Sequence, residues 1–162
     1  MNTLTRILGC LALASLASCA QPTTEKQPSG RADPVRRIYF EERTDGSGSR
    51  CDFEAKTVTV SMDGDPYGCE DDEMRFLKLD NVRSAVLITL RSRKCGQDGG
   101  WEVTLRTIID PISTDWINIH TLKSAQVGSI LVRGVLLEAA YDDGDSTQGK
   151  LTCVIVTASP QP

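Results

Sequence analysis

Residues 57–68 read Thr57-Val58-Thr59-Val60-Ser61-Met62, then Asp63-Gly64-Asp65-Pro66-Tyr67-Gly68. The first six alternate polar and apolar without a slip. Successive side chains of a strand point to opposite faces, so this pattern predicts a half-buried strand. Val58, Val60 and Met62 are expected to face in. The next six are the Asp, Gly and Pro residues that reverse a chain.

The same two signals recur along the chain. Glu102-Val103-Thr104-Leu105-Arg106 alternates, with Val103 and Leu105 inward. Ser84 to Ser92 and Ile130 to Ala139 read as two more deeply buried strands, Val35 to Glu42 as the first strand and Leu151 to Thr157 as the last. Asp45-Gly46-Ser47-Gly48-Ser49, Gly96-Gln97-Asp98-Gly99-Gly100 and the Gly/Asp-rich run 142–149 punctuate them. No helical period longer than two turns is found. These signals predict an all-β fold, a small antiparallel β-sandwich spanning 35–157 as a single domain, with 158–162 as a disordered tail.

Outside the domain the composition changes. Residues 20–34 are rich in Pro, Thr and Gln and nearly free of apolar side chains, which makes a flexible tether. Residues 1–18 have the layout of an export signal: Arg6, then an apolar run from Ile7 to Ala17, then small residues. The run is too short to cross a bilayer core, which needs about 20 residues. Leu16-Ala17-Ser18-Cys19 resembles the lipobox of bacterial lipoproteins. That resemblance implies cleavage before Cys19, diacylglycerol on its thiol and an acylated amine. Two or three acyl chains hold a protein firmly to a membrane. Ala20 stands where an Asp would favour the inner membrane, so the resemblance implies the outer membrane.

The whole chain has 18 basic and 22 acidic residues, net −4. Loss of Arg6 with the signal leaves 17 against 22, net −5. A chain this acidic lacks the broad positive face that nucleic acid requires. Arg91, Arg93 and Lys94 are the only tight basic group, expected at a solvated hairpin end.

Processing also changes the cysteine count. Cys10 leaves with the signal and Cys19 is acylated, so Cys51, Cys69, Cys95 and Cys153 remain. In an oxidising compartment four cysteines make two disulfides, and three pairings are open. Cys51–Cys69 with Cys95–Cys153 is the expected set, the second tying the last strand to the middle of the chain. None of the four lie in the close C-x₂₋₄-C pairs typical of structural zinc.

The first half of the domain carries a further pattern. Arg37-Ile38-Tyr39-Phe40-Glu41-Glu42 is an aromatic strand that runs into the glycine turn 45–48. Asp71-Asp72-Glu73-Met74-Arg75-Phe76 is an acidic turn before a short strand, and a hairpin follows from Ala85 to Trp101. This order resembles the Greek-key motif of the βγ-crystallin superfamily over residues 36–108, with no counterpart in 109–157. The family's acidic-x-x-Ser/Thr-Ser loop binds calcium, and Asp71 and Asp72 match its acidic pair. Arg75 and Phe76 stand where its hydroxyl ligands belong, so the resemblance leaves calcium a candidate and no more.

The remaining clusters invite chemistry but fit blander roles. Glu70-Asp71-Asp72-Glu73, with Asp63 and Asp65, offers the oxygen ligands that hard cations take. Asp142, Asp143 and Asp145 form a second acidic turn, but counting from Asp143 the twelfth position is Val154, not the Glu of an EF-hand. Both read as solvated turns. His120 is the single histidine, placed by the alternation of 115–120 on one face with Trp116 and Asn118. No G-x-S-x-G elbow accompanies it. Trp101 and Trp116 are expected to anchor the core.

The sequence therefore reads as a non-catalytic, lipid-anchored outer-membrane protein without a cofactor, whose domain binds a partner or contributes to the envelope. The alternative is a periplasmic inhibitor or immunity-type protein, its acidic loop 70–73 meeting a basic hydrolase or toxin.

Overall fold

The computed structural model describes residues 34–64, 66–144 and 150–159. The signal, Cys19, most of the tether, Asp65, Asp145 and the end of the tail lie outside the described residues. The described chain belongs to one compact unit, 33–162.

Its elements are ten strands and one 3₁₀ turn. In order they are β1 Arg37–Glu41, β2 Arg50–Glu54, β3 Val58–Ser61, β4 Phe76–Asp80, β5 Leu87–Arg91, β6 Trp101–Thr107, β7 Ile117–Asn118, the turn Ile119–Ser124, β8 Ile130–Val132, β9 Val135–Asp142 and β10 Cys153–Thr157. They form two antiparallel sheets, β2-β1-β4-β7 and β3-β10-β5-β6-β9-β8. The fold is all-β and sandwich-like, stapled by Cys51–Cys69 and Cys95–Cys153.

The strand order contains a repeat. In the first sheet β1 lies between β2 and β4, while β3 crosses to the other sheet and pairs with β10. In the second sheet β5 lies between β6 and β10, while β7 crosses back and pairs with β4. Each unit thus lends one strand to its neighbour, and β8–β9 is an addition on the free edge of β6.

Alternation puts one face of each strand into the shared core. Ile38 and Phe40, Leu77 and Leu79, Ile88 and Leu90, and Trp101, Val103 and Leu105 are all at most 1 % exposed. Each such side chain contributes about 1.5–3 kcal/mol by leaving water. Phe40 and Phe53 stack at 5.7 Å between ring centroids, joining β1 to β2 inside the core.

Four expectations need correction. Ile130–Ala139 is two strands, because Arg133-Gly134 turns the chain and Gly134 adopts φ +86°. The apolar content on both sides hid that hairpin. The strand expected over 115–120 ends at Asn118, whose side chain caps the following turn by accepting from the His120 N–H at 2.9 Å. Trp116 is not in the core: it is half-buried, with the Lys78 ammonium 5.7 Å from its ring. Strand β2, Arg-Cys-Asp-Phe-Glu, was hidden by its three charged residues, although Cys51 and Phe53 alternate inward. Trp101, by contrast, is the buried anchor expected.

The two ends of the sandwich differ. At one end β2 passes to β3 through residues 55–57. At the other the connections 42–49, 62–75 and 92–100 are long, and both disulfides lie there.

Candidate functional site: the His120 cleft

At the long-loop end, Glu41 of β1 pairs with Phe76 of β4, and Phe76 pairs with Asn118 of β7. Three chain segments are thereby brought side by side: 42–45, 74–76 and 118–120. The Arg75 N–H donates to Glu41 O at 3.0 Å, and the Ile119 N–H donates to Arg75 O at 2.9 Å, which locks them. Between them opens a cleft of about 410 Å³.

Its floor is apolar. Met74 and Ile119 are buried and Phe76 half-buried. Its rim carries both charges: Arg43 and Arg75, Glu42 and Asp45, together with His120. Glu42 bridges the loop, 3.2 Å from Arg43 and accepting from the Ser49 N–H at 3.3 Å. A Cβ at Gly48 would fall 2.3 Å from the Glu42 carboxylate, and Gly48 sits at φ +83°. Glycine is favoured there by the backbone, and an added Cβ would also displace the Glu42 carboxylate. Asp45 accepts from the Ser47 hydroxyl at 2.7 Å and from the Ser47 N–H at 2.9 Å. The hydroxyl bond, followed by the N–H bond, holds the Asp45 carboxyl below its usual range.

Thr44 is the one hydroxyl of this lining, and neither a serine nor a cysteine contributes to it. A small apolar floor with a few placed charges of both signs suits a zwitterionic segment, such as a polar peptide loop.

The sequence-derived site residues fall elsewhere, except His120. Asp72, at φ +59°, accepts from the Thr152 hydroxyl at 3.5 Å. Lys94 lies 3.0 Å from Asp63, and its ammonium is held protonated above its usual range by Asp63 first and more weakly by Asp71. The acidic loop thus already has a cation of the protein beside it. Among the described residues, no three His, Cys, Asp or Glu side chains converge as a metal site. Asp142 pairs with Lys123 at 2.9 Å, and Asp143 accepts from the Gly100 N–H at 2.6 Å, so the second acidic turn ties loops together. Arg43, Glu42 and Asp45 were not singled out as site residues from the sequence. The glycine turn beside them was the available signal. Arg75 was noted only as a misfit in a calcium loop.

The chain matches no family model, and neither a curated protein nor a solved structure was found significantly similar to it.

Proposed function

We propose that this is a lipid-anchored protein of the cell envelope, held at the outer membrane through Cys19, whose β domain binds a partner and is not an enzyme. The observation that carries the compartment is the pairing of Cys51 with Cys69 and of Cys95 with Cys153. Structural disulfides persist where thiols are not kept reduced. With those four engaged, Cys19 stands directly after an export-type segment and the small residues of the lipobox-like Leu16-Ala17-Ser18.

The domain itself fits two Greek keys of the βγ-crystallin kind. In support, the fourth strand of each unit lies beside its first, β4 beside β1 and β10 beside β5, as a Greek key requires. On this reading residues 109–157 supply the last two strands of the second key, β7 and β10, with β8–β9 inserted.

Pro34 and the cleft fall at opposite ends of the domain. The tether reaches the domain at Pro34, just before β1, and the His120 cleft opens past the far end of β1. Five residues of strand separate them by about 17 Å.

Two experiments test this. Metabolic palmitate labelling and the mass of the mature amino terminus read the anchor: label on the wild type and none on Cys19→Ala is expected, and an unlabelled wild type overturns it. For the cleft, capture from envelope extract is compared between the wild type and Arg75→Glu. A partner retained equally by both overturns the cleft as the binding face. Glu70 and Asp72 are exposed on the acidic loop, which favours the inhibitor reading as second. Capture lost on Glu70→Lys with Asp72→Lys, and kept in Arg75→Glu, selects it.

A further inference from the structure

The opposite end of the sandwich holds a second cavity, of about 490 Å³, and its lining is dominated by one charge. Arg36, Arg37, Lys56 and Arg83 bring four cations to it, and Glu54 one carboxylate. Most of these cations are engaged. Arg37 is paired with Asp52, Lys56 lies 2.9 Å from Glu54, and Arg83 stands a longer 3.8 Å from Asp110. Arg36 is different: its Nε is buried and has no hydrogen-bond partner among the described residues. Arg36 is only half-buried as a residue, so its guanidinium can turn to an anion in the cavity, which would give the Nε–H the acceptor it lacks.

We propose that this cavity is an oxyanion site that takes a phosphate group, with Arg36 as its principal donor and Arg83 as its second cation. The planar guanidinium fork matches phosphate oxygens and forms short, charge-assisted bonds with them. The volume accommodates a glycerophosphate headgroup. The site gathers the start of β1, the end of β2, the chain beyond β4 and the chain beyond β10, so it is built by the tertiary fold rather than by one loop. Pro34, where the tether meets the domain, lines it. The phosphate chemistry stands on the cavity alone. The choice of a phospholipid headgroup as its source rests on the anchor reading of Cys19, which would keep the domain at a membrane surface.

The test uses the unlipidated chain from Ala20 onward, which keeps the whole compact unit 33–162. Titration with glycerol phosphate is followed by amide NMR. Saturable shifts are expected around 36–37, 83–84 and 158–159, with an affinity about tenfold or more weaker in Arg36→Gln. Arg83→Gln provides an independent loss if Arg36→Gln perturbs folding. Lys94→Gln, at the opposite end, removes the same charge and is expected to leave the affinity unchanged. Absence of saturable shifts overturns the proposal, as does equal weakening by Lys94→Gln. Sedimentation with phosphatidylcholine vesicles, with and without phosphatidylglycerol, then separates the sources. Retention on the anionic vesicles that Arg36→Gln abolishes assigns the phosphate to lipid. Glycerol phosphate binding without that retention assigns it to a soluble phosphoester. Palmitate labelling of Cys19 reads the anchor separately.

Discussion

The two ends of this sandwich share the same strands and hold cavities of similar size, yet both disulfides lie at one of them. At the His120 end, long Gly- and Asp-rich loops are held by two disulfides and by side chains that bond loop to loop. The Asp143 carboxylate accepts from the Gly100 N–H, Lys94 meets Asp63, and Asn118 caps its own turn. At the Arg36 end no disulfide is found among the described residues, and the chain is held by backbone bonds, such as Ala55 N–H to Arg36 O at 2.9 Å, together with hydroxyl ties: the Val86 N–H donates to Thr107 Oγ1 at 2.9 Å and the Asn81 N–H to Ser113 Oγ at 2.9 Å. Loops with little apolar surface cannot stabilise themselves by burial, so covalent and polar ties take over. At the Arg36 end the connections run from three residues at 55–57 to nine at 108–116, and charged side chains are left to line a cavity.

The sharpest way to break this comparison is to remove the disulfides. Replacing Cys95 and Cys153 by Ala opens a loop with a separation of 58 residues, and replacing Cys51 and Cys69 opens one of 18. Loop closure entropy predicts losses of about 4 and about 3 kcal/mol respectively. Urea unfolding of the two double variants measures both. Negligible losses in both would mean that the long-loop end holds without its staples.

A smaller effect tests backbone demand at the two ends. Gly48→Ala, in the cleft loop, must carry φ +83° and approach Glu42; Gly134→Ala must carry φ +86° and meet the Ile112 Cδ1 at 2.5 Å. Each is expected to cost about 1–2 kcal/mol, read from the thermal midpoint.

The smallest effect is electrostatic and belongs to the cleft loop. The Asp45 carboxyl is depressed below 3.8, so its contribution to stability is present above pH 3.8 and is lost as pH falls through the lower folded value. Ser47→Ala removes the hydroxyl bond, its largest cause, and should move the Asp45 titration back towards 3.8 in a carbon-detected NMR titration. An unmoved titration would assign the depression to another source.

Much of this fold was legible in local pattern. Thr57–Met62 and Glu102–Arg106 alternate because one face of each strand is buried, and burial leaves a period of two in the residues themselves. The Asp- and Gly-rich turns announce themselves because only certain residues reverse a chain cheaply. The hairpin at Gly134 escaped notice because its apolar flanks continue through a single glycine, and β2 because charged residues surround its two buried ones. Local pattern also pointed to both disulfides, although it left three pairings open.

The exchange of β3 and β7 between sheets, and both cavities, were settled only in three dimensions. Which strands pair depends on contacts between residues tens of positions apart, and no short window carries that information. Arg36 and Arg83 are unremarkable as letters. The fold brings them to one cavity beyond the ends of β2 and β10, and it carries Arg43, Arg75 and His120 to the other. Sequence alone thus determined which segments become strands and turns, because those depend on neighbouring residues. The tertiary structure decided which side chains meet, because meeting depends on where distant strands come to lie.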